Sequence, residues 1–283
     1  MNGRLRQGRF ELKYAVPVAL RADLLAFARP HIEAGTNAVP LPGGGSGYRV
    51  HSLYFDAISA GCALRDYRER LCERSIRNRL RVRTYGLRGE KQPVFLENKR
   101  KEENRVVKSR TWICSASAWH SAVGPHPWQH FSDDIAPKNR FAYRDFDRLV
   151  AGQRSPVSVV HYLREVYVPR GAARSGIRLT LDREVRATTC PQTLDLYAPA
   201  DVDLIPPDWM VLEMKFSDVR PAWMGRLVKT FRLQAVPVSK FGLSVALGFR
   251  SDRPAELRYF TPQPLRARGN IASRRPRPAQ SVG

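Results

Sequence analysis

The chain of 283 residues carries 48 lysines and arginines against 26 aspartates and glutamates, a formal net charge of +22. Its 43% of hydrophobic residues suffices for a core, which excludes a disordered protein and leaves one large or two small domains. The positive charge implies a polyanionic partner, which is nucleic acid, an acidic membrane surface or a phosphorylated substrate.

Cysteine spacing and hydropathy indicate the cellular compartment of the protein. The N-terminus lacks the apolar core of a signal peptide, and no run of about 18 apolar residues occurs. We therefore expect a soluble, cytoplasmic protein that could also lie peripherally on the inner face of the membrane, bound to a membrane-protein partner. The cysteines show no zinc-site spacing and are expected to be reduced thiols: Cys62, Cys72, Cys114 and Cys190.

The N-terminal segment predicts a strand followed by a helix. In residues 9–16, RFELKYAV, polar and apolar side chains alternate, which places Glu11 and Lys13 on one face of a strand. From Pro17 the apolar residues recur with a helical period, which predicts a helix that ends near Gly35.

A Gly/Pro-rich loop leads to a second strand, residues 48–55, which reads as mostly buried. Asp56 then stands where its side chain can cap a helix that reaches Leu71. The stretch Arg77–Arg110 predicts three strands and two turns. Its charged residues alternate with apolar ones and therefore share strand faces: Arg81, Arg83, Glu97, Lys99, Lys108 and Arg110.

The alternation is lost between residues 112 and 153, which predicts a helical insertion outside the sheet. It returns in three further predicted strands, 157–168, 177–185 and 209–217, and a helix opens after them. We expect the folded domain to span residues 1–250. The Arg- and Pro-rich residues 251–283 cannot bury a core and are expected to form a disordered tail.

At least six of roughly eight predicted strands carry this charged stripe. A sheet with one face in water also alternates, but it would show little preference for arginine. A closed barrel with helices outside and a charged lumen explains the pattern and predicts an α+β fold. The predicted lumenal cations are Arg81, Arg83, Lys99, Lys108, Arg164 and Lys215, with Lys13, Arg110, Arg178 and Lys240 as further candidates.

Such a lumen needs an anion, because each buried unpaired ion costs several kcal/mol. Triphosphate or polyphosphate fits, since guanidinium groups bind phosphate oxygens bidentately and lysines act as point charges. Nucleic acid is disfavoured, because the cations take inward positions, whereas RNA-binding surfaces combine basic residues with exposed aromatics.

Four carboxylates share the faces of these cations. Oxygen ligands of this kind hold Mg²⁺ or Mn²⁺, which bridges phosphate oxygens, so all four are candidate metal ligands. The alternative is that each one neutralises a neighbouring lysine or arginine. The carboxylates are Glu11, Glu97, Asp182 and Glu213, of which Glu213 is the preferred ligand.

An ordered set of motifs resembles a known family, the VTC domain, which is the polyphosphate polymerase domain of the vacuolar transporter chaperone complex within the triphosphate tunnel metalloenzyme (CYTH-like) superfamily. The resemblance runs from about Phe10 to Leu247. It is carried by RFELKY, YRVHSLYFD, RLRVRTYG, VFLENKRK, VVKSR, YLREVY, IRLTLD, VLEMKF and VSKF. It implies an antiparallel eight-stranded tunnel that transfers the terminal phosphoryl group of ATP to a growing polyphosphate chain, with Mn²⁺ or Mg²⁺ as cofactor.

The resemblance also implies roles for single residues. Tyr162 and Ser239 would add hydroxyl contacts to the substrate, and Lys240 would bind the chain. Lys13 matches the first-strand lysine, and Glu213 would hold the metal. The residues that would hold phosphates are Arg81, Arg83, Lys99, Lys108 and Arg164.

One position departs from the superfamily. Its Glu-x-Glu-x-Lys signature is incomplete, because Arg9 stands two residues before Glu11. The missing carboxylate disfavours two-metal hydrolysis and is compatible with polymerase activity. A tunnel triphosphatase and a non-catalytic polyphosphate-binding module stay open as alternatives. The regulatory domain and membrane segments of yeast-type members have no counterpart, so a bare catalytic-type domain is expected.

Overall fold

The computed structural model describes residues 9–36, 38–41, 44–59, 63–72, 76–89, 91–102, 105–152, 154–171, 176–249 and 255–260. Within these residues, eight long strands form one antiparallel sheet in the order β1–β8–β7–β6–β2–β3–β4–β5. They are β1 Arg9–Pro17, β2 Ser46–Ser59, β3 Leu80–Tyr85, β4 Pro93–Glu102, β5 Arg105–Ser115, β6 Arg154–Pro169, β7 Arg178–Thr189 and β8 Trp209–Ser217. Short strands extend the sheet at Ile32–Ala34, Val39–Pro40, Ala63–Leu64, Ile76–Arg77 and Val202–Asp203.

Helices cover the sheet and confirm the predicted α+β class. They are α1 Arg21–Ala28, α2 Arg65–Leu71, α3 Ala116–Ser121, α4 Arg140–Ala151, α5 Ala222–Thr230 and α6 Lys240–Phe249. Helix α2 begins beside Asp56 as expected. The Asp56 carboxylate accepts hydrogen bonds from the backbone N–H groups of Asp66 at 2.7 Å and Tyr67 at 3.0 Å, which caps the helix.

The outer face of the sheet packs under these helices in two places. On β2 and β4, Leu53 and Leu96 pack in one cluster with Trp128 and with Phe146 of α4. On β8, residues such as Met210 pack in a second cluster with α1 and α5. The apolar positions of the predicted strands therefore face outward, towards helices, as the barrel interpretation requires.

Helix α6 lies on the inner face of the sheet. Its Phe241 and Val245 are buried in one cluster with Val160 of β6, Val185 of β7 and Val211 of β8. Each such buried side chain contributes about 1.5–3 kcal/mol. The helix thus covers part of the inner face with apolar side chains, and its first residue, Lys240, reaches the charged side chain of Asp182.

The sheet curls without a hydrogen-bonded closure between β1 and β5 in the described part of the chain. The second edge of β1 is occupied instead: Tyr14 bridges to Ala235, and the Val236 N–H donates to the Lys13 carbonyl at 2.8 Å. An occupied edge cannot pair with another strand, so this segment takes the place that β5 would need in a closed barrel.

Two predicted boundaries were wrong. Helix α1 ends at Ala28, not near Gly35, because Pro30 lacks the N–H that would continue it, and Ile32–Ala34 pairs with β6. The insertion after the three-strand stretch begins later than residue 112, because β5 continues to Ser115 along β4.

Part of the predicted disordered tail is structured in the described residues. Residues Ala255–Phe260 form a 3₁₀ helix, in which Leu257 and Phe260 are buried and the Phe260 ring lies 5.8 Å from that of Trp209. These two apolar side chains reach the core, which composition alone did not indicate. Residues 261–283 lie outside the described part of the chain.

The described residues also show the state of the cysteines and the length of the apolar helices. Cys72, Cys114 and Cys190 carry free thiols, and Cys62 lies outside the described residues. No helix in the described part of the chain is both long and apolar enough to cross a lipid bilayer.

Candidate functional site

The strands bring the predicted charged residues onto the inner face of the curled sheet. Glu97 of β4 lies between Arg81 of β3 and Arg110 of β5 in the register. At the other end of the sheet, Lys13 of β1 pairs with Glu213 of β8. Because side chains at paired positions project to the same face, the alternating stripes of separate strands become one continuous charged surface.

Glu97 is the centre of the first charged cluster. Its side chain is only 2% exposed. Arg81 Nε donates to Glu97 Oε2 at 2.6 Å, and Lys108 Nζ lies 3.3 Å from Oε1. Arg110 Nε is 3.2 Å away, and Arg83 Nη1 is 3.9 Å away. Burial alone would raise the pKa of Glu97, but these cations outweigh it and hold the pKa well below its usual range.

The arginines of this cluster are held by groups that the sequence did not single out. Arg81 Nη1 donates to the Tyr54 hydroxyl at 3.0 Å, and Arg83 Nε donates to the Ser52 hydroxyl at 2.9 Å. Burial would raise the pKa of Tyr54, but the nearby arginines lower it to about 8. Both residues lie on the inward positions of β2, so the alternation of that strand was the signal that could have identified them.

Asp182 is the centre of the second charged cluster. Arg164 donates to its two carboxylate oxygens at 2.6 Å each, and Lys240 Nζ donates at 2.6 Å. The cations outweigh the effect of burial and hold the pKa of Asp182 well below its usual range. Arg164 and Lys240 also lie over the Tyr162 ring, at 5.0 and 4.7 Å from its centroid. The predicted phosphate ligands Arg164, Tyr162 and Lys240 therefore form one group.

Glu11 and Glu213 form the third cluster around Lys215. Lys215 Nζ lies 2.5 Å from Glu213 Oε1 and 3.4 Å from Glu11 Oε2, and Lys13 Nζ is 3.1 Å from Glu11. Burial would raise the pKa of Glu11, but Lys13, Lys215 and Lys99 outweigh it and lower it to about 2. Burial would also raise the pKa of Glu213, but Arg164, Lys215 and Lys13 outweigh it and lower the pKa.

The carboxylates differ in how well they fit a metal ion. No group of three or more His, Cys, Asp or Glu side chains in the described residues is arranged to hold one. Glu97 and Asp182 are enclosed by cations, so the ion-pair alternative describes their contacts. Glu213 Oε1 is also ion-paired, with Lys215 Nζ at 2.5 Å, and the buried hydroxyl of its neighbour Thr180 has no hydrogen-bond partner in the described residues. Glu213 and Glu11 lie close enough for the charge of Glu11 to raise the pKa of Glu213, so they form a carboxylate pair to which substrate oxygens could be added as further ligands of a divalent ion.

Two further predicted residues lie where β1 meets α6. Lys13 Nζ donates to the Val238 carbonyl at 3.1 Å. Ser239 Oγ accepts a hydrogen bond from the Gly242 N–H at 3.2 Å and so caps α6. The hydroxyl that the resemblance assigns to the substrate is thus used by the helix in this structure.

A small cavity adjoins these clusters. Its volume is about 150 Å³, and it is lined by cationic side chains beside Phe241 of α6. Arg79 lies 5.6 Å from the Phe241 ring centroid and was not among the predicted residues. Burial lowers the pKa of Lys99, and the charges of Arg79, Lys13 and Lys215 lower it further. The cationic lining consists of Arg77, Arg79, Lys99 and Lys101.

The fold and the site define a class of protein: a curled antiparallel sheet whose inner face gathers arginine and lysine around buried carboxylates, as binding of a phosphate chain requires. The family model of the VTC domain matches residues 8–249, and the chain belongs to this family. Membership confirms the predicted resemblance, and it implies a triphosphate-binding tunnel and dependence on a divalent metal ion.

Solved structures of two other proteins are similar to this chain. One is a proposed adenylyl cyclase from Hippeastrum with a dominant triphosphatase activity, at 16% identity and a TM-score of 0.49, covering 86% of this chain and 98% of that chain. The other is a proposed adenylate cyclase from Vibrio parahaemolyticus, at 12% identity and a TM-score of 0.39, covering 84% and 97%. No curated protein matches the chain.

Proposed function

We propose that this protein is a polyphosphate polymerase, which transfers the terminal phosphoryl group of ATP to the end of an inorganic polyphosphate chain. The observation that carries this function is the excess of positive charge on the inner face. Among the predicted residues in the described part of the chain, ten cations meet four carboxylates on this face, and a bound anion would balance the excess. The cations are Lys13, Arg81, Arg83, Lys99, Lys108, Arg110, Arg164, Arg178, Lys215 and Lys240; the carboxylates are Glu11, Glu97, Asp182 and Glu213.

The first two clusters would bind the two reacting phosphates. Arg81 and Arg83 are oriented by hydroxyl groups and by Glu97 before a ligand arrives, which reduces the cost of positioning the triphosphate. Arg164 and Lys240, both held by Asp182, would bind the second phosphate group. Lys240 is also the first residue of α6, so the positive end of the helix dipole adds to its charge.

The chemistry needs positioning and charge more than it needs proton transfer. A terminal oxygen of the polyphosphate forms a bond to the γ-phosphorus of ATP while the bond from that phosphorus to ADP breaks. Acceptor and leaving group are both anionic, so the main catalytic contribution of the arginines and lysines would be electrostatic stabilisation of the transferring phosphoryl group. A divalent ion, Mn²⁺ or Mg²⁺, held by Glu213 and Glu11 with substrate oxygens, would supply further neutralisation of phosphate charge.

Product analysis tests this function. Purified protein with ATP and Mn²⁺, with and without a polyphosphate primer, is expected to form acid-labile polymer and one ADP for each phosphate incorporated. Release of inorganic phosphate without polymer would establish the triphosphatase instead. Binding of tripolyphosphate without either product would establish the binding module. The cytoplasmic location and the membrane-protein partner stay predictions.

A substitution of Glu213 tests its role as the metal ligand. Glu213→Gln keeps the shape of the side chain and removes its charge, so we expect polymer synthesis to fall at least about tenfold while tripolyphosphate binding persists. The matched control is Glu102→Gln on β4, where Glu102 pairs with Arg100 at 2.8 Å on the outer face. Full activity of Glu213→Gln would exclude the metal role.

A further inference from the structure

Aromatic side chains line the inner face next to the Glu97 cluster. Tyr48 and Tyr85 contact edge to face with ring centroids 5.5 Å apart, and Tyr85 lies 6.2 Å from Phe95. Phe95 of β4 pairs with Trp112 of β5, which places both side chains on the inner face. We call these four residues the aromatic rim.

Trp112 differs from the other tryptophans of its region. Its side chain is 49% exposed, whereas Trp119 and Trp128 are 2% and 0% exposed in the core under the helices. Large aromatic side chains usually bury most of their area, as Trp119 and Trp128 do. Trp112 is instead about half exposed at an inward register position of β5, where a planar ligand can stack on its indole ring.

Arg110 connects the aromatic rim to the phosphate-binding cations. Its Cζ lies 3.6 Å from the Phe95 ring centroid, and its Nη2 donates to the Tyr85 hydroxyl at 2.9 Å. The same guanidinium group reaches Glu97 at 3.2 Å. One side chain thus contacts both the aromatic surface and the first charged cluster, so a ligand that is anionic at one end and aromatic at the other can lie across it.

The spacing along β5 suits a nucleotide. Lys108, Arg110 and Trp112 occupy successive inward positions, which are about 7 Å apart on a strand. A base that stacks on Trp112 would therefore lie about 14 Å from a phosphate beside Lys108, counted along the strand. In a nucleoside triphosphate, ribose and two phosphates separate the base from the terminal phosphate and give a span of this order.

We propose that the aromatic rim binds the nucleobase of the donor and thereby selects a nucleoside triphosphate over inorganic tripolyphosphate. This base site rests on the proposed function, because the aromatic rim would bind the base of the same nucleotide whose phosphates the cations bind. Stacking tolerates any base, since every base has a π face, so the rim would accept purines and pyrimidines. Its specificity lies in requiring a base at all.

Binding measurements on Trp112→Ala test the base site. The probes are adenylyl imidodiphosphate, a non-hydrolysable ATP analogue, and inorganic tripolyphosphate, each titrated calorimetrically with Mg²⁺ present. We expect the affinity for the analogue to fall about fivefold or more, in line with the loss of one stacked base, while the tripolyphosphate affinity stays within about twofold. Trp112→Phe keeps a stacking surface and should retain most of the affinity for the analogue.

The control is Phe141→Ala on α4, which removes an aromatic ring that is 81% exposed on a helix outside the sheet and should change neither affinity. Equal losses for both ligands in Trp112→Ala, or a loss for neither, would overturn the base site. Because the analogue is not turned over, this result is independent of polymer synthesis. If the wild type makes no polymer, but Trp112→Ala weakens binding of the analogue and not of tripolyphosphate, the polymerase function is refuted and the base site is supported.

Discussion

At the scale of single residues, Glu97 shows how a buried carboxylate stays ionised on a surface dominated by cations. Desolvation penalises its charge, but four cations from β3 and β5 offset that penalty. The carboxylate also fixes the guanidinium group of Arg81 in place. Glu97 is therefore a positioning residue for the phosphate-binding arginines, and its removal should affect stability before chemistry.

We expect Glu97→Gln to lower the free energy of unfolding by about 2–3 kcal/mol, somewhat less than the ~3–5 kcal/mol of fully buried pairs, because Lys108 and Arg110 remain partly in water. Urea denaturation at neutral pH measures this. The outer-face control Glu102→Gln should change it by less than about 0.5 kcal/mol. Saturating tripolyphosphate should restore part of the lost stability, since it supplies negative charge. If Glu97→Gln is as stable as the wild type, Glu97 does not stabilise the surrounding cations.

At the scale of elements, α6 is the part of the site that strand alternation could not predict. Ser239 and Lys240 lie outside the predicted strands, and the resemblance assigns both to the substrate. In the structure the two residues begin a helix packed on the inner face, and Ser239 supplies its cap. The position of Lys240 beside Asp182 therefore depends on how well this helix terminus is formed.

We expect Ser239→Ala to lower the free energy of unfolding by about 1 kcal/mol, because the Gly242 N–H loses its side-chain acceptor. Ser239→Thr keeps a hydroxyl and should lose less. Thermal denaturation and tripolyphosphate titration of both variants distinguish the two roles of the hydroxyl. If Ser239→Ala keeps the stability of the wild type but binds tripolyphosphate more weakly, the Ser239 hydroxyl contacts the substrate and its capping of α6 contributes little to stability.

At the scale of the whole molecule, the net charge is +22, and the inner face is one of the places where cations exceed carboxylates. The inner face places many cations close together, and the carboxylates among them are ionised well below their ordinary range. Protonating these carboxylates removes the negative charges that lie between the cations of each cluster. The fold should therefore be sensitive to acid in a window set by their shifted pKa values.

Glu11 gives the sign of this effect. Its pKa is about 2 in the fold against 4.5 for the free group, so the unfolded chain takes up a proton first as the pH falls. The stability that ionised Glu11 contributes is present above about pH 4.5 and is lost between that pH and about pH 2. We expect wild type to be more stable than Glu11→Gln at pH 7, and the difference to vanish near pH 2. A difference that is constant across this window in denaturant titrations would rule out the shift.

Several features followed from the sequence because they depend on local order. Alternation has a period of two in every strand, so Glu11 and Lys13, or Glu97 and Lys99, had to share a face whatever the topology. The excess of arginine and lysine over acidic residues required an anion. Roughly eight strands with apolar outer faces were accordingly predicted from the pattern, whereas the antiparallel arrangement and the family followed from the resemblance of the ordered motifs.

Tertiary structure decided which of these charges meet, because partners lie on strands whose spatial order differs from their order in the chain. Asp182 and Lys240 are 58 residues apart in sequence and 2.6 Å apart in space. The occupied edge of β1, the hydroxyl of Tyr54 beside Arg81 and the exposure of Trp112 likewise depend on packing between distant segments. Alternation assigns a side chain to a face of its strand, but only the packed sheet determines what lies opposite that side chain.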